Sequence, residues 1–264
     1  MIMKQENSSG WNRENLKDPH RLPDKSLRIK TMFGRIARTY DLLNHLLSLN
    51  LDRRWRRRAV ALARAGPGQS VLDLCCGTGD LALEFLTQHP DLGELIGIDF
   101  AEPMLIQAAA KSNRRRNAGK SDRCKSVIPK WLCGDVGCLP FMEARFDIVG
   151  CAFGMRNLQD VFLALRQIHR VLKPGGKILI LEFALPHHKF IAWLYKWYFR
   201  LVLPLIGNII AKDRHRAYQY LPASVERFET ASRLSKLLQK TGFGVDYMEE
   251  LSWAAVLVLV ASKS

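Results

Sequence analysis

The sequence predicts an α/β fold with a parallel sheet covered by helices on both faces. Three observations carry that prediction. Five near-continuous apolar runs alternate with stretches of helical pattern over residues 71–182, which is how strands buried on both sides read. Three of those runs close on an aspartate at or just beyond the strand end, where open α/β sheets bind ligands. The first is Val71-Leu-Asp-Leu-Cys-Cys-Gly-Thr-Gly-Asp-Leu-Ala82, an apolar strand that breaks into a Gly-x-Gly turn opening a helix.

That turn is a nucleotide-cofactor loop. Gly77 and Gly79 let backbone approach a ligand where a Cβ would clash, and the helix starting near Gly79 directs free N–H groups over the strand ends. With Thr78 between them, these glycines are expected to bind cofactor. Gly77-x-Gly79-x-x-Ala82 also fits the dinucleotide fingerprint, so the loop alone does not name the ligand. Two acids favour S-adenosylmethionine. Asp80, in the first helical turn, suits the helix dipole but would repel a pyrophosphate. Asp73, at the end of the strand, is placed to meet a cation such as an amino group or a sulfonium. Either acid can also be read as a cap of a helix or turn.

The second run, Glu94-Leu-Ile-Gly-Ile-Asp99, ends in a carboxylate suited to the hydroxyls of a ribose; the alternative is a cap on the helix that begins near Glu102-Pro103. The third, Trp131-Leu-Cys-Gly-Asp135-Val136, offers Asp135 to an adenine amino group and Val136 to its ring. Phe146–Ala152 and Lys177–Glu182 supply the fourth and fifth strands, the latter preceded by a Leu172-Lys-Pro-Gly-Gly176 turn. Further on, residues 230–240 read as a helix with Gly242 as its C-cap, and strands are expected near 245–251 and 254–262. The last is almost wholly apolar and belongs inside the sheet.

Composition fits one domain with additions. A chain of 264 residues with 48% hydrophobic content can bury a full core. Residues 1–26 are polar and read as a flexible arm, residues 27–65 as N-terminal helices, and residues 66–264 as the core with an apolar, aromatic cap insertion at about 184–229. No apolar signal segment follows the initiator, so a cytoplasmic location is expected. The six cysteines lack zinc-ligand spacing and read as reduced packing residues, and no metal site is expected.

The net charge of +15 predicts polyanionic partners. Nucleic acid is disfavoured, because only Trp55 interleaves with the basic run Arg53–Arg58 to stack a base. The turn after the fourth strand, Ala152-Phe-Gly-Met-Arg-Asn157, also lacks the Asp/Asn-Pro-Pro-aromatic clamp of amino-directed nucleic-acid methyltransferases. Arg114, Arg115 and Arg116 read as charges completing a helix C-terminus. Peripheral contact with the anionic inner face of a membrane has better support from Phe190–Arg200, where Trp193, Trp197, Tyr195, Tyr198, Lys196 and Arg200 are interfacial residue types. The same segment reads equally as a cap lining a substrate pocket.

The Gly loop, ribose acid, adenine acid and Leu172–Gly176 turn together resemble the class I methyltransferases. Tyr40-Asp-Leu-Leu-Asn44 with Leu47-Ser48 and Trp55, and Arg170–Gly176 continuing to Leu181-Glu182-Phe183, resemble the two signatures of the ubiquinone/menaquinone biosynthesis C-methyltransferase family. The resemblance runs from about Met32 to the C-terminus. It departs at Asp52, where the family usually has His, at Ala184, where it has Ser, and at Ala152, where some members have a cofactor-contacting Ser.

The resemblance implies a Rossmann-like sheet of seven strands, mostly parallel with an antiparallel last strand, and S-adenosylmethionine as cofactor, with Ala152 among the residues that contact it. The implied reaction is ring methylation of a prenylated quinol, demethylmenaquinol foremost, with benzoquinol and phylloquinone-type acceptors as alternatives and RNA as a more distant one. The same substituted positions also allow a cofactor-binding protein without catalysis. Phe153–Asn157 faces the substrate in that family. An Arg beside the pocket would stabilise a quinol anion, so Arg156 is expected in that role, with Asn157 bonding the oxygen and Tyr40 closing over the site. A salt bridge, a helix N-cap and a core tyrosine are their respective alternatives. A homo-oligomer is left open.

Overall fold

A computed structural model describes residues 10–12, 14–117, 127–185, 193, 217–228 and 230–264. Three helices come first: α1 (Lys25–Ile36), α2 (Tyr40–Leu47) and α3 (Leu51–Ala63). Then follow β1 (Ser70–Leu74), α4 (Asp80–Gln88), β2 (Glu94–Asp99), α5 (Glu102–Asn117), β3 (Lys130–Cys133), β4 (Phe146–Ala152), α6 (Val161–Val171) and β5 (Leu172–Phe183). The chain closes with α7 (Ala217–Arg227), α8 (Ala231–Lys240), β6 (Phe243–Leu251) and β7 (Val256–Lys263).

The sheet has seven strands in the order β3-β2-β1-β4-β5-β7-β6. Pairings from β3 through β5 are parallel, while β7 runs antiparallel to both β5 and β6. The apolar run Val256–Ala261 is buried throughout because it lies between two strands. Strand order reverses between β1 and β4, so a crevice opens over their carboxyl ends.

Each helix lies where its apolar stripe finds a face. Trp55, Ala59 and Val60 of α3 and Leu81 and Phe85 of α4 bury against one side of β1, β4, β5 and β7. Leu165 and Ile168 of α6 and Leu234 and Leu238 of α8 cover the other. A third cluster joins Ile29, Met32 and Leu43 of the N-terminal helices to Met104 of α5 and Tyr220 of α7. Asp160 and Thr230 cap α6 and α8, accepting from Leu163 N and Arg233 N.

Several expectations are modified. The Leu172–Gly176 run is the start of β5, with Leu172 paired to Phe146 and a register shift before Ile148 pairs with Lys177. β3 is an edge strand, and the Trp131 ring lies so close to β2 that a Cβ on Gly97 would come within 2.5 Å of it. Within the range read as a polar arm, Trp11 is buried and stacks on Tyr220 at 4.4 Å between centroids, and Arg28 donates to Gly10 O at 2.6 Å. Gly10 and Trp11 thus pack against α1 and α7. Cys133 and Cys138 are exposed and do not pack in the core; Cys75, Cys76 and Cys151 do, and Cys124 lies outside the described residues. Of the aromatic cap segment Phe190–Arg200 only Trp193 is described, helical and exposed. No helix among the described residues is long and apolar enough to cross a membrane.

Candidate active site

The β1–α4 loop turns through three residues of positive φ: Cys75 (51°), Gly77 (54°) and Gly79 (82°). Only one glycine leaves room for a ligand. A Cβ on Gly77 would meet nothing within 4 Å, whereas a Cβ on Gly79 would come 2.5 Å from the Trp131 ring and 3.1 Å from Ala108. The bare backbone at Gly79 therefore serves packing against β3 and α5, and the bare backbone at Gly77 fronts open space.

Asp73 lies beneath the loop. Its Oδ2 accepts from Ala82 N at 3.0 Å, so the carboxylate anchors the first turn of α4, and its Oδ1 is buried with no hydrogen-bond partner. Burial pushes its carboxyl up to about 8, helped by the nearby Asp99 and Asp80 charges and opposed by the Ala82 bond and Arg56. An orphaned acceptor oxygen on a carboxyl held neutral by want of a counter-charge is a site for a cation. Asp99, on β2, accepts from Gly77 N and from Ala101 N, each at 2.9 Å. Burial raises it as well. It thus ties the Gly loop to the start of α5, the cap role that the sequence offered as the alternative. Its second lone pairs stay free for hydroxyls.

Asp135 caps a single 3₁₀ turn, Val136–Cys138, accepting from Gly137 N at 2.8 Å, while Val136 is buried. Ala152 ends β4, half-buried against the α3–α4 cluster. These residues stand at or just beyond the carboxyl ends of β1, β2, β3 and β4, on either side of the point where the strand order reverses. The empty Cβ position at Gly77 and the orphaned oxygen of Asp73 fit S-adenosylmethionine on the geometry of this chain.

Thr78 behaves differently. Its Oγ1 donates to Asp41 at 2.5 Å and accepts from Lys111 Nζ at 3.0 Å, and it is buried. Lys111 also pairs with Asp41 at 2.8 Å and with Asp80. Asp80 is held well ionised despite burial, because Arg56 and Lys111 flank it. It is therefore neutralised by protein cations and does not face a ligand alone. Arg56 lies 3.6 Å from Asp80 and bonds Asp52 at 2.5 Å, its guanidinium 5.4 Å over the Phe153 ring.

Asp52, the departure from the family pattern, accepts from His45 at 2.8 Å and Ser48 at 2.6 Å. Those bonds and Arg56 outweigh burial and hold its carboxyl far below the usual range. His45, Asp52 and Asp80 place ligand-capable atoms within 4.8 Å of one another, and Arg56 balances their charge. The network binds α2 and α3 down onto the cofactor loop.

The turn after β4 abuts the same loop. A Cβ on Gly154 would come 2.5 Å from Cys75 Cβ, so the bare Gly154 backbone packs against the Cys75 side chain there. Arg156, within the 3₁₀ turn Met155–Asn157, is buried; its Nη1 donates to Glu182 Oε1 and to Phe153 O, both at 2.6 Å. Its backbone N also reaches Glu182, at 3.2 Å. The guanidinium stays charged despite burial, held by the Glu182 carboxylate. Its Nε–H has no partner.

Asn157 is not an N-cap. Its Oδ1 accepts from Tyr220 O–H at 3.0 Å and its Nδ2 donates to Phe153 O at 3.3 Å. Tyr40 opens α2, half-buried, with its ring edge-on to Phe33 at 5.7 Å; burial raises its hydroxyl against the pull of Arg156 and Arg56. Behind the turn, Lys25 is buried, donates to Leu158 O at 2.5 Å and sits 3.2 Å from His20 Nδ1; burial lowers it to about 8. The structure thus gathers Tyr40, Arg156 and Asn157 with three residues the sequence reading gave no role: Glu182, Tyr220 and Arg56. Glu182 carried a legible signal, an acid closing an apolar strand, like the three aspartates that were picked out.

Comparison with known proteins agrees with this geometry. Residues 22–263 match the ubiE/COQ5 methyltransferase family. The chain is 41% identical over 232 residues to the demethylmenaquinone methyltransferase of Thermus thermophilus, covering 88% of this chain and all of that one. It is 41% identical over 242 residues to the ubiquinone/menaquinone biosynthesis C-methyltransferase UbiE of Geobacter sp. strain M21, covering 92% and 99%. Among solved structures, magnesium protoporphyrin IX methyltransferase of Synechocystis PCC 6803 with bound SAM superposes with a TM-score of 0.60 at 15% identity, covering 92% and 99%. The [4+2]-cyclase SpnF superposes at 0.61 with 18% identity, covering 90% and 96%, so the fold alone does not fix the reaction. Family match and relatives together carry the assignment: the chain belongs to the ubiE/COQ5 methyltransferase family and is a methyltransferase.

Proposed function

We propose that the protein transfers the methyl group of S-adenosylmethionine to a ring carbon of a prenylated quinol, demethylmenaquinol first and a benzoquinol second. The observation that carries this reading is the contact of the Arg156 turn with the Gly loop through Gly154 and Cys75. It sets a buried charged donor beside the cofactor crevice in a chain whose relatives bear demethylmenaquinone and ubiquinone/menaquinone methyltransferase names. When bound, S-adenosylmethionine supplies an electrophilic methyl on a sulfonium. Gly77, Asp73 and Asp99 hold it: open backbone on one side, a carboxylate for its amino group, and acceptors for its ribose. Asp135 and Val136 bound the adenine.

Arg156 acts as an oriented donor. Its charge is already matched by Glu182, so its Nε–H offers a directed hydrogen bond to a substrate oxygen and little net field. Asn157, fixed by Tyr220 and Phe153 O, presents an amide of set orientation. Tyr40 stays protonated and donates. Arg156 Nε–H and the Asn157 amide would hold the quinol oxygen as its hydroxyl proton leaves, which makes the ring carbon nucleophilic toward the methyl that S-adenosylmethionine would supply. Packing α2 over the crevice excludes water from that step.

Mass spectrometry of product from a short-tailed demethylmenaquinol, beside the benzoquinol and the oxidised quinone, tests the reading. A methyl gain on reduced rings alone is expected. No transfer to any ring by protein that still binds cofactor would overturn it.

A further inference from the structure

We infer that the end of the molecule formed by α2, the 48–50 turn and the β6–β7 turn docks on an anionic lipid bilayer, and this rests on the quinol reading for its purpose. On α2 the inner face is occupied: Leu43 is fully buried, and Tyr40 and Leu47 pack beside it. The opposite face is apolar and bare. Leu42 and Leu46 are 61% and 49% exposed one helical turn apart, and Leu49 continues the stripe at 79%. Leu49 sits on backbone of positive φ (52°), followed by Asn50 (60°), so a tight turn holds a large apolar side chain out in water. A soluble surface has no use for that conformation at a leucine.

A second tip does the same. In the β6–β7 turn, Ser252, Trp253 and Ala254 all have positive φ, and Trp253 is 79% exposed. Trp55 Nε1 donates to Ser252 Oγ at 2.9 Å, which fixes this turn against the first half of α3, next to the Leu49 turn. Trp and Leu raised on adjacent turns are anchors for the bilayer interface.

The charge around them selects the partner. Residues 28–64 carry ten Lys and Arg and two acids. Both acids turn inward, Asp41 to Thr78 and Lys111, and Asp52 to His45, Ser48 and Arg56. Arg53 and Arg54, which follow the Leu49 turn, are exposed. Beside the β6–β7 turn Glu249 is paired with Arg58 and Glu250 is an exposed acid, so cations outnumber acids around an apolar tip, which complements anionic headgroups over a hydrocarbon layer. Tyr40 lies on the same short helix, so a docked α2 sets the site at the surface where a prenyl-tailed substrate resides.

Flotation of the full-length protein with vesicles tests this without substrate. Vesicles with 40% phosphatidylglycerol should bind on the order of a hundredfold better than pure phosphatidylcholine, since a few cations near an anionic surface give about that gain. Leu49→Ser with Trp253→Ser should cut binding about tenfold or more by removing interfacial burial. That variant should methylate a short-tailed, dispersed quinol at the wild-type rate while losing turnover of a long-tailed quinol in vesicles. Equal binding of both proteins, binding indifferent to lipid charge, or a Leu49/Trp253-dependent dimer without vesicle binding would each overturn the proposal. Failure of the dispersed quinol to react in either protein would instead strike the quinol reading and leave the flotation result standing.

Discussion

Replacing Asp73 by Asn should stabilise the cofactor-free protein increasingly as pH rises, while weakening cofactor binding. The carboxyl is 1% exposed, with one oxygen on Ala82 N and the other unpaired. Burial raises it from 3.8 to about 8. The sign follows from linkage: in the folded chain the neutral form is preferred, so the group's contribution is fully present below pH 3.8 and is lost progressively until about pH 8. Each pH unit in that interval is worth about 1.4 kcal/mol. Asn keeps an acceptor for Ala82 N and has no charge to desolvate. The stability difference between variant and wild type should therefore widen by about 2 kcal/mol between pH 6 and pH 7.5, or about 4–8 °C in Tm for a chain of this size.

Paired melts across that range measure it, and comparing the two proteins cancels every other titrating group. Calorimetry in buffers of different ionisation enthalpy gives the second half. A cation beside Asp73 favours its ionised form, so wild type should release a proton from it on binding S-adenosylmethionine at pH 7, and the variant should not. A stability difference that stays flat with pH would refute the assignment of a neutral Asp73, and unchanged cofactor affinity in the variant would refute its role as the counter-charge.

Arg156→Ala should cost about 3–5 kcal/mol of stability, because Glu182 is left as an unpaired buried charge, and Arg156→Ala with Glu182→Gln should regain a large part while staying inactive; urea melts and turnover separate the two effects. Gly79→Ala should lose at least 2 kcal/mol through its clash with the Trp131 ring, partly recovered by Trp131→Leu, whereas Gly77→Ala meets no atom, should lose only the roughly 1–2 kcal/mol of its positive φ, and should lose cofactor affinity. Tyr220→Phe, which frees the Asn157 amide, should lower kcat several-fold with cofactor affinity unchanged and with a stability loss of about 1 kcal/mol.

The parts of this molecule that were legible in sequence are those written in consecutive residues. An apolar run ending in an acid marked β1, β2 and β3 and the Gly loop after β1, because strand, turn and helix start are local. The insertion of β7 followed from its lack of any polar face. What stayed hidden depends on meetings across the chain. Nothing near Asp80 signals that Lys111 and Arg56 neutralise it, and nothing near Gly79 says that its missing side chain makes room for Trp131. Asp52 reads as a departure from a pattern until His45, Ser48 and Arg56 converge on it. Trp11 lay in a polar stretch, and only Tyr220, 209 residues away in sequence, makes it a core residue.

The same distinction explains how one fold serves both a porphyrin methyltransferase and a cyclase. The proposed cofactor platform, the Gly loop with Asp73 and Asp99, is built here from β1, β2 and the starts of α4 and α5. Reaction identity must enter through what is brought over that platform. Here two elements do so: the Met155–Asn157 turn, set on the loop by Gly154 and braced by Glu182, and α2, tied to Thr78 and Lys111 through Asp41. Because Asp41 adjoins Tyr40, the bond that fixes α2 to the Gly loop also fixes Tyr40, the third residue proposed to face substrate. Loosening Lys111 should then disturb substrate handling and cofactor retention together. A Lys111→Met variant is expected to release cofactor faster and to raise KM for quinol, with both effects mimicked in wild type by high salt. Faster cofactor release with an unaltered KM would mean that α2 is positioned by its apolar face alone, and that the Asp41 clasp serves only the loop beneath it.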